Sequence, residues 1–233
     1  LNTGCATTGP ARPDDVERKS MFYDPRTEPH GLAHTPINAL VCPRPIGWIT
    51  TVSKAGGVNL APYSFFNLMS SNPPIVVFSS HPRKDSQRNA EETGEFVYNL
   101  ATWDLRDMMS ASSADFDTAE SEPEKLGLEM VPSRKVKPPR VKRSPVHFEC
   151  KYLQTVELVG SDGKKNRSEI IIGEVVGIHI DESIIADGMV DIARARPIAR
   201  LGYWDYCVVD ELFAMRRPAS PEAAIAIAKA ANR

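Results

Sequence analysis

From Ile46 onward, apolar residues cluster and alternate in a way that predicts strands. Ile46 to Val52 and Val58 to Ala61 flank a Gly56-Gly57 turn, the signature of a hairpin. Ile75-Val76-Val77-Phe78 is a short continuous apolar run, which predicts a strand buried on both faces. Asp85 or Ser86 is expected to cap a helix that ends near Gly94, and a strand resumes over Glu95 to Leu100. Thr102 to about Ser112 predicts a second helix, with Leu105, Met108 and Met109 on one side.

A ribbon follows. From Phe148 to Leu158 the even positions are apolar except Gln154, and the odd ones mostly polar, so one face is expected to be wet. Asp162-Gly163 supplies its turn and Ile170 to Ile180 the return strand, in which Gly173 and Gly177 signal bulges or close backbone approach. Ser220-Pro221-Glu222 opens an Ala-rich terminal helix. Strands interrupted by a few helices, without regular alternation, predict a mainly β (α+β) fold. The expected form is a closed or nearly closed antiparallel barrel with peripheral helices. Residues 1–20, rich in Thr, Gly, Pro, Arg and Asp, read as a flexible arm, 21–217 as the folded domain, and 218–233 as a C-terminal helix.

Composition narrows the function classes. A net charge of −2 gives no general attraction to nucleic acid or anionic membrane. No apolar run approaches the roughly 20 residues that span a bilayer, and Leu1 to Pro10 lacks the pattern of a secretory signal. Cys5, Cys42, Cys150 and Cys207 are far apart, which favours reduced thiols in the cytoplasm over a disulfide framework or a zinc site. The basic run from Arg134 to Arg143 follows an acidic stretch from Asp115 to Glu129 and reads as a solvated loop. His30 and His34 are separated by Gly31 and flanked by Pro29 and Pro36, which argues against a helical metal pair.

Two segments carry chemistry. Ser79 to Asn89 runs from a strand into Arg83-Lys84-Asp85-Ser86 at a helix start, where free N–H groups, two cations and a hydroxyl suit a phosphate. Taken alone it would be an ordinary basic surface helix. Its companion, Asn59 to Asn67, keeps Ala61 and Pro62 small where a planar ring could approach, and adds polar groups at Asn59, Ser64 and Asn67. Phe65 adds apolar surface there, while Phe66 reads as packing. Asp85 could act as general acid or base, though its place at the helix start favours a cap. The chain offers no convincing nucleophile, triad or metal cluster, so a bound cofactor is expected to carry the reaction.

Residues 21–217 resemble the flavin reductase-like family of FMN-binding split-barrel proteins. The resemblance rests on Arg44-Pro45-Ile46-Gly47-Trp48-Ile49-Thr50-Thr51, Asn59-Leu60-Ala61-Pro62-Tyr63-Ser64-Phe65-Phe66, Arg83-Lys84-Asp85-Ser86, Ile171-Ile172-Gly173-Glu174-Val175 and the closing Ala199 to Tyr206. It implies FMN, with FAD the alternative, a homodimer, and NAD(P)H as hydride donor. It also implies a flavin edge at Trp48, Ile49, Thr50 and Thr51. Ring and ribityl contacts would come from Asn59, Leu60, Ala61, Ser64 and Phe65, and a phosphate grip from Ser79, Arg83, Lys84, Asp85 and Ser86. The function so implied is a flavin reductase that can supply reduced flavin to a partner monooxygenase. Many relatives carry Gly-Asp-His before the strand that begins near Ile170, whereas this chain has Asn166-Arg167-Ser168-Glu169. That departure favours, as alternative, an FMN carrier or storage module without NAD(P)H turnover. A third reading is a redox enzyme that acts on an organic substrate at the flavin.

Overall fold

The computed structural model describes residues 19–117 and 120–231. The expected arm therefore lies almost wholly outside the described residues, as does Cys5. Contacts divide the chain into residues 1–37 and 38–233. In the first unit a turn forms at Asp24, whose carboxylate pairs with Arg26 at 2.9 Å, and Tyr23 meets His30 edge to face at 5.9 Å.

The second unit is built on a seven-stranded antiparallel sheet. Its strands are β1 (Gly47–Val52), β2 (Val58–Tyr63), β3 (Phe66–Ser71), β4 (Pro74–Ser80), β5 (Glu95–Leu100), β6 (Val146–Val159) and β7 (Lys165–Ile180). The spatial order is β2-β1-β5-β6-β7-β4-β3. The edge strands β2 and β3 are joined only by Ser64 and Phe65, and the Ser79 amide donates to the Phe65 carbonyl at 2.8 Å. A sheet whose edges are linked by two residues must curl back on itself, which gives the expected barrel. Ile49, Phe66, Phe78, Phe96, Tyr98, Cys150 and Ile171 form one buried cluster, with Phe66 stacked on Tyr98 at 4.7 Å. Ile46, Trp48, Leu60, Leu105, Met109 and Val141 form a second.

Several details depart from the expected pattern. Strand β4 is not buried on both faces: Val76, Phe78 and Ser80 are buried, while Ile75, Val77 and Ser79 are half-buried. A barrel wall gives one face to the core, and the apolar side chains opposite lie under partial cover. The segment Thr102 to Ser112 divides into a tight turn at Trp103–Leu105 and a helix at Arg106–Ala111. Leu105 and Met109 are buried there, but Met108 is exposed. The helix after β4, α1 (Asp85–Thr93), ends at Gly94 with φ 76°, as expected, but Lys84 rather than Asp85 or Ser86 occupies its N-cap. The terminal helix covers Pro221–Ala231, with no buried residue.

The wet face expected from Phe148 to Leu158 is present at Lys151, Leu153 and Glu157, which are exposed, but fails at one position. Glu149 is fully buried, because the basic loop folds over it. Its carboxylate accepts from the Arg134 amide at 2.8 Å, the Lys135 amide at 2.5 Å and His179 Nε2 at 2.5 Å. Burial pushes this carboxyl up, but those three donors outweigh it and hold it below the ordinary value. The basic run is thus fastened by its backbone, while Arg134 and Lys135 themselves stay exposed.

The register of β6 against β7 shifts at Ile172/Gly173 and at Val175/Gly177, so the glycines do mark bulges. A Cβ on Gly173 would lie 2.3 Å from the fully buried Phe96 ring. Gly173→Ala is therefore expected to cost about 2 kcal/mol by overpacking. That lowers the melting temperature by about 4–8 °C in a domain of this size, which calorimetry would measure. A melting point unchanged from wild type would show that Phe96 repacks freely.

Candidate functional site

A cavity of about 490 Å³ opens where the end of β2 meets the start of α1. Its wall combines Asn59, Ala61, Pro62, Tyr63, Ser64 and Phe65 with His81, Arg83, Lys84, Asp85 and Ser86. A loop from Ser112 to Phe116 and the carboxyl of Glu122 complete it. The two segments singled out in the sequence thus share one cavity, because the barrel places β2 near the strand–helix junction that follows β4.

Its floor is polar and buried. With its amide turned so that donors meet acceptors, Asn59 donates to Glu122 Oε1 at 3.2 Å and accepts from Ser86 Oγ at 2.8 Å. Glu122 Oε2 accepts from the Leu60 amide at 3.0 Å. Glu122 opens the short helix α2 (Glu122–Lys125). Burial pushes its carboxyl above the usual value; the Leu60 amide works against that shift and nearby Asp85 adds to it. The Tyr63 hydroxyl is buried and makes no hydrogen bond of ordinary geometry among the described residues; burial pushes it up to about 12, against the neighbouring Ser86 and Ser80 hydroxyls, which lower it.

The cations at the rim are already paired. Arg83 meets Glu91 at 2.5 Å, Lys84 meets Asp115 at 3.4 Å, and Asp85 meets Arg88 at 2.9 Å. Both Arg83 and Lys84 are about half exposed, so these pairs are weak and open to exchange for a stronger anion. His81 Nδ1 lies 3.0 Å from Ser168 Oγ, within the segment Asn166 to Glu169.

Other expected site residues stand behind the wall. Trp48, Ile49, Thr50, Thr51 and Leu60 are wholly buried and do not line the cavity. Trp48 donates to Ser112 Oγ at 2.9 Å and so positions a lining residue. Thr50 accepts from Asn99 at 2.8 Å and Thr51 from Asn89 at 3.2 Å, ties that brace the sheet. Ser79 is half-buried and outside the lining. His81, Ser112 and Glu122 were not among the expected contacts, whereas Tyr63 falls within the expected run from Asn59 to Ser64. Glu122 sits in an acidic stretch whose local pattern gives no hint of burial.

The donor set suits a phosphorylated, hydroxyl-bearing ligand with a flat apolar part. Asn59, Ser64 and Ser86 offer polar groups, Arg83 and Lys84 charge, and Phe65 and Pro62 apolar surface. The buried Tyr63 hydroxyl, beside Ser80 and Ser86 but without a hydrogen bond of ordinary geometry among the described residues, is a further group that a ligand could satisfy. FMN fits that description. Arg83, Lys84 and Ser86 would hold its phosphate, and Asn59, Tyr63 and Ser64 its polar atoms.

Fold and cavity together define a β-barrel protein with a site for a phosphorylated cofactor. Residues 40–199 match the flavin reductase like domain. The chain is 34% identical over 188 residues to YwrF of Bacillus subtilis, covering 78% of this chain and 91% of that one. It is 37% identical over 172 residues to a protein of Aquifex aeolicus, covering 71% and 84%. Among solved structures it is similar to nitrilotriacetate monooxygenase component B from Bacillus cereus, with TM-score 0.78 and 29% identity over 85% of this chain and all of that one. It is also similar to the Pseudomonas fluorescens 2-nitrobenzoate 2-nitroreductase, with TM-score 0.69 and 30% identity over 78% and 89%. The chain belongs to the flavin reductase-like family, and its fold is that family's split barrel. Among the described residues no helix is long and apolar enough to cross a membrane.

Proposed function

We propose that this protein is an FMN-binding oxidoreductase that reduces flavin with NAD(P)H. The observation that supports it most is one cavity in which a hydroxyl and two cations at a helix start adjoin the buried polar floor of Asn59, Tyr63, Ser86 and Glu122. Bound FMN would supply a hydride acceptor. The residues present would bind and orient: Arg83 and Lys84 exchange their carboxylates for phosphate, Ser86 donates to it, and Phe65 and Pro62 limit water over the apolar part. The lining contains no residue that the reaction requires as nucleophile or metal ligand.

Further features belong to the same proposal. Exposed Leu212, Phe213 and Met215 near the C-terminus favour a homodimer. The monooxygenase component among the similar structures favours an oxygenase as recipient of reduced flavin. A cytoplasmic location accords with the free thiols of Cys42, Cys150 and Cys207.

Asn166 to Glu169 supports the second reading, an FMN carrier without nicotinamide turnover, because no histidine stands there. His81 counters it, since Ser168 holds an imidazole beside that segment. Anaerobic mixing of FMN-loaded protein with NADH and with NADPH separates the two. The reductase reading expects flavin absorbance to bleach faster than for free FMN with at least one donor. Rates no faster than free FMN with both would leave the carrier reading.

A further inference from the structure

We infer that Glu122 reads the hydroxyl-bearing chain of the ligand and so sets a preference for flavins that carry a polyol chain over the bare ring. The inference rests on the flavin reading above. Glu122 is only 8% exposed, yet it lines the cavity beside Asn59, Ser86 and Tyr63. One carboxyl oxygen takes the Leu60 amide, a backbone donor of the edge strand β2, and this contact alone would be structural. The other oxygen takes the Asn59 amide at 3.2 Å, and the backbone amide of Glu122 itself adds a donor to the carboxyl, so among the described residues fewer donors meet it than it can accept. A carboxylate offers about four acceptor sites, and a buried one left short of donors is costly.

The chemistry of the missing donor follows from the neighbours. An anion set directly against the Glu122 carboxyl would meet a like charge, to which Asp85 adds. The cations Arg83 and Lys84 stand at the rim, where the phosphate is expected, and form their ion pairs with Glu91 and Asp115 rather than with Glu122. A neutral hydroxyl donates without adding charge, and several in a row could serve both Glu122 and the buried Tyr63 hydroxyl, which makes no hydrogen bond of ordinary geometry among the described residues. Position agrees. Through Asn59, Glu122 is linked to Ser86, at the end of the cavity where the phosphate is expected. In FMN the hydroxyl chain is bonded directly to that phosphate, so its hydroxyls cannot lie far from Ser86.

The test compares FMN, riboflavin and lumiflavin, which has a methyl group in place of the hydroxyl chain, by quenching of flavin fluorescence. Glu122→Gln keeps an oxygen for the Leu60 amide but removes the charge. It should weaken FMN and riboflavin about tenfold and leave lumiflavin unchanged, since a hydrogen bond to a charged acceptor becomes a neutral one. Equal losses for all three would assign Glu122 to the ring or to the wall, and no loss for any would remove it from recognition. Either result overturns the inference while flavin binding stands. Wild-type protein that binds none of the three instead overturns the flavin reading, and this inference with it. Should the Gln variant melt early, Glu122→Asp keeps the charge but withdraws it by one carbon, and the same ranking is expected.

Discussion

Replacing Arg83 and Lys84 together by alanine is expected to weaken FMN about 100-fold and riboflavin less than about threefold. A hydrogen bond to a charged group contributes about 1.5–3 kcal/mol, so two near the upper end of that range, about 5.5 kcal/mol together, would reach about 10,000-fold if fully expressed. They are not fully expressed here. Each side chain is about half exposed, and each must first leave a carboxylate, Glu91 for Arg83 and Asp115 for Lys84. Solvent screening and those lost pairs reduce the gain to about half, hence roughly 100-fold. Riboflavin lacks the phosphate and should register only the altered rim. The wild-type preference for FMN should also shrink as salt rises, and the double variant should lose that dependence. Fluorescence titration at two ionic strengths measures both effects. Equal losses for the two ligands would move the phosphate away from the start of α1.

Much of this arrangement was legible in the chain, for identifiable reasons. The Gly56-Gly57 turn, the helix stop at Gly94 and the turn at Asp162-Gly163 depend on backbone conformations that few other residues adopt readily. They therefore appear in any local reading. Long alternation likewise made β6 and β7 visible as a ribbon. Groups whose environment comes from a distant segment were not legible. Glu149 looks like a wet-face residue until residues 134–136 close over it. Glu122 looks like one of many surface acids until the edge of β2 offers it an amide. Trp48 to Thr51 show the converse: a motif tied to flavin by resemblance is wholly buried, and its visible work is to brace Ser112 and the sheet.

Between pH 6.5 and 4 the fold is expected to lose about 3 kcal/mol of stability through His147, because its imidazole is held at about 4 rather than 6.5. Burial is the main cause; the Arg140 and His179 side chains add to it, and the Val141 carbonyl and Glu149 oppose it. His147 is only 4% exposed, and its Nε2 lies 2.9 Å from the Val141 carbonyl, so this nitrogen carries the proton and Nδ1 is left bare. The sign follows from proton counts. Unfolded chains take up a proton near pH 6.5, folded ones only near pH 4, so across that window the unfolded state holds more protons and acid favours it. Above pH 6.5 both are neutral and the effect vanishes; below pH 4 both are charged and it saturates. Glu149 acts in a lower window. Its folded carboxyl is held below 4.5, so the stability it contributes is present above 4.5 and is lost as pH falls through its depressed value. His147→Gln, which keeps a donor for the Val141 carbonyl, should therefore flatten the decline from pH 6.5 to 4 and leave the steep loss at lower pH intact. Urea midpoints at pH 7, 5.5 and 4.5 test this. Wild type and variant falling in parallel over that range would mean that His147 protonates in the folded state without penalty, and that acid acts on the carboxylates alone.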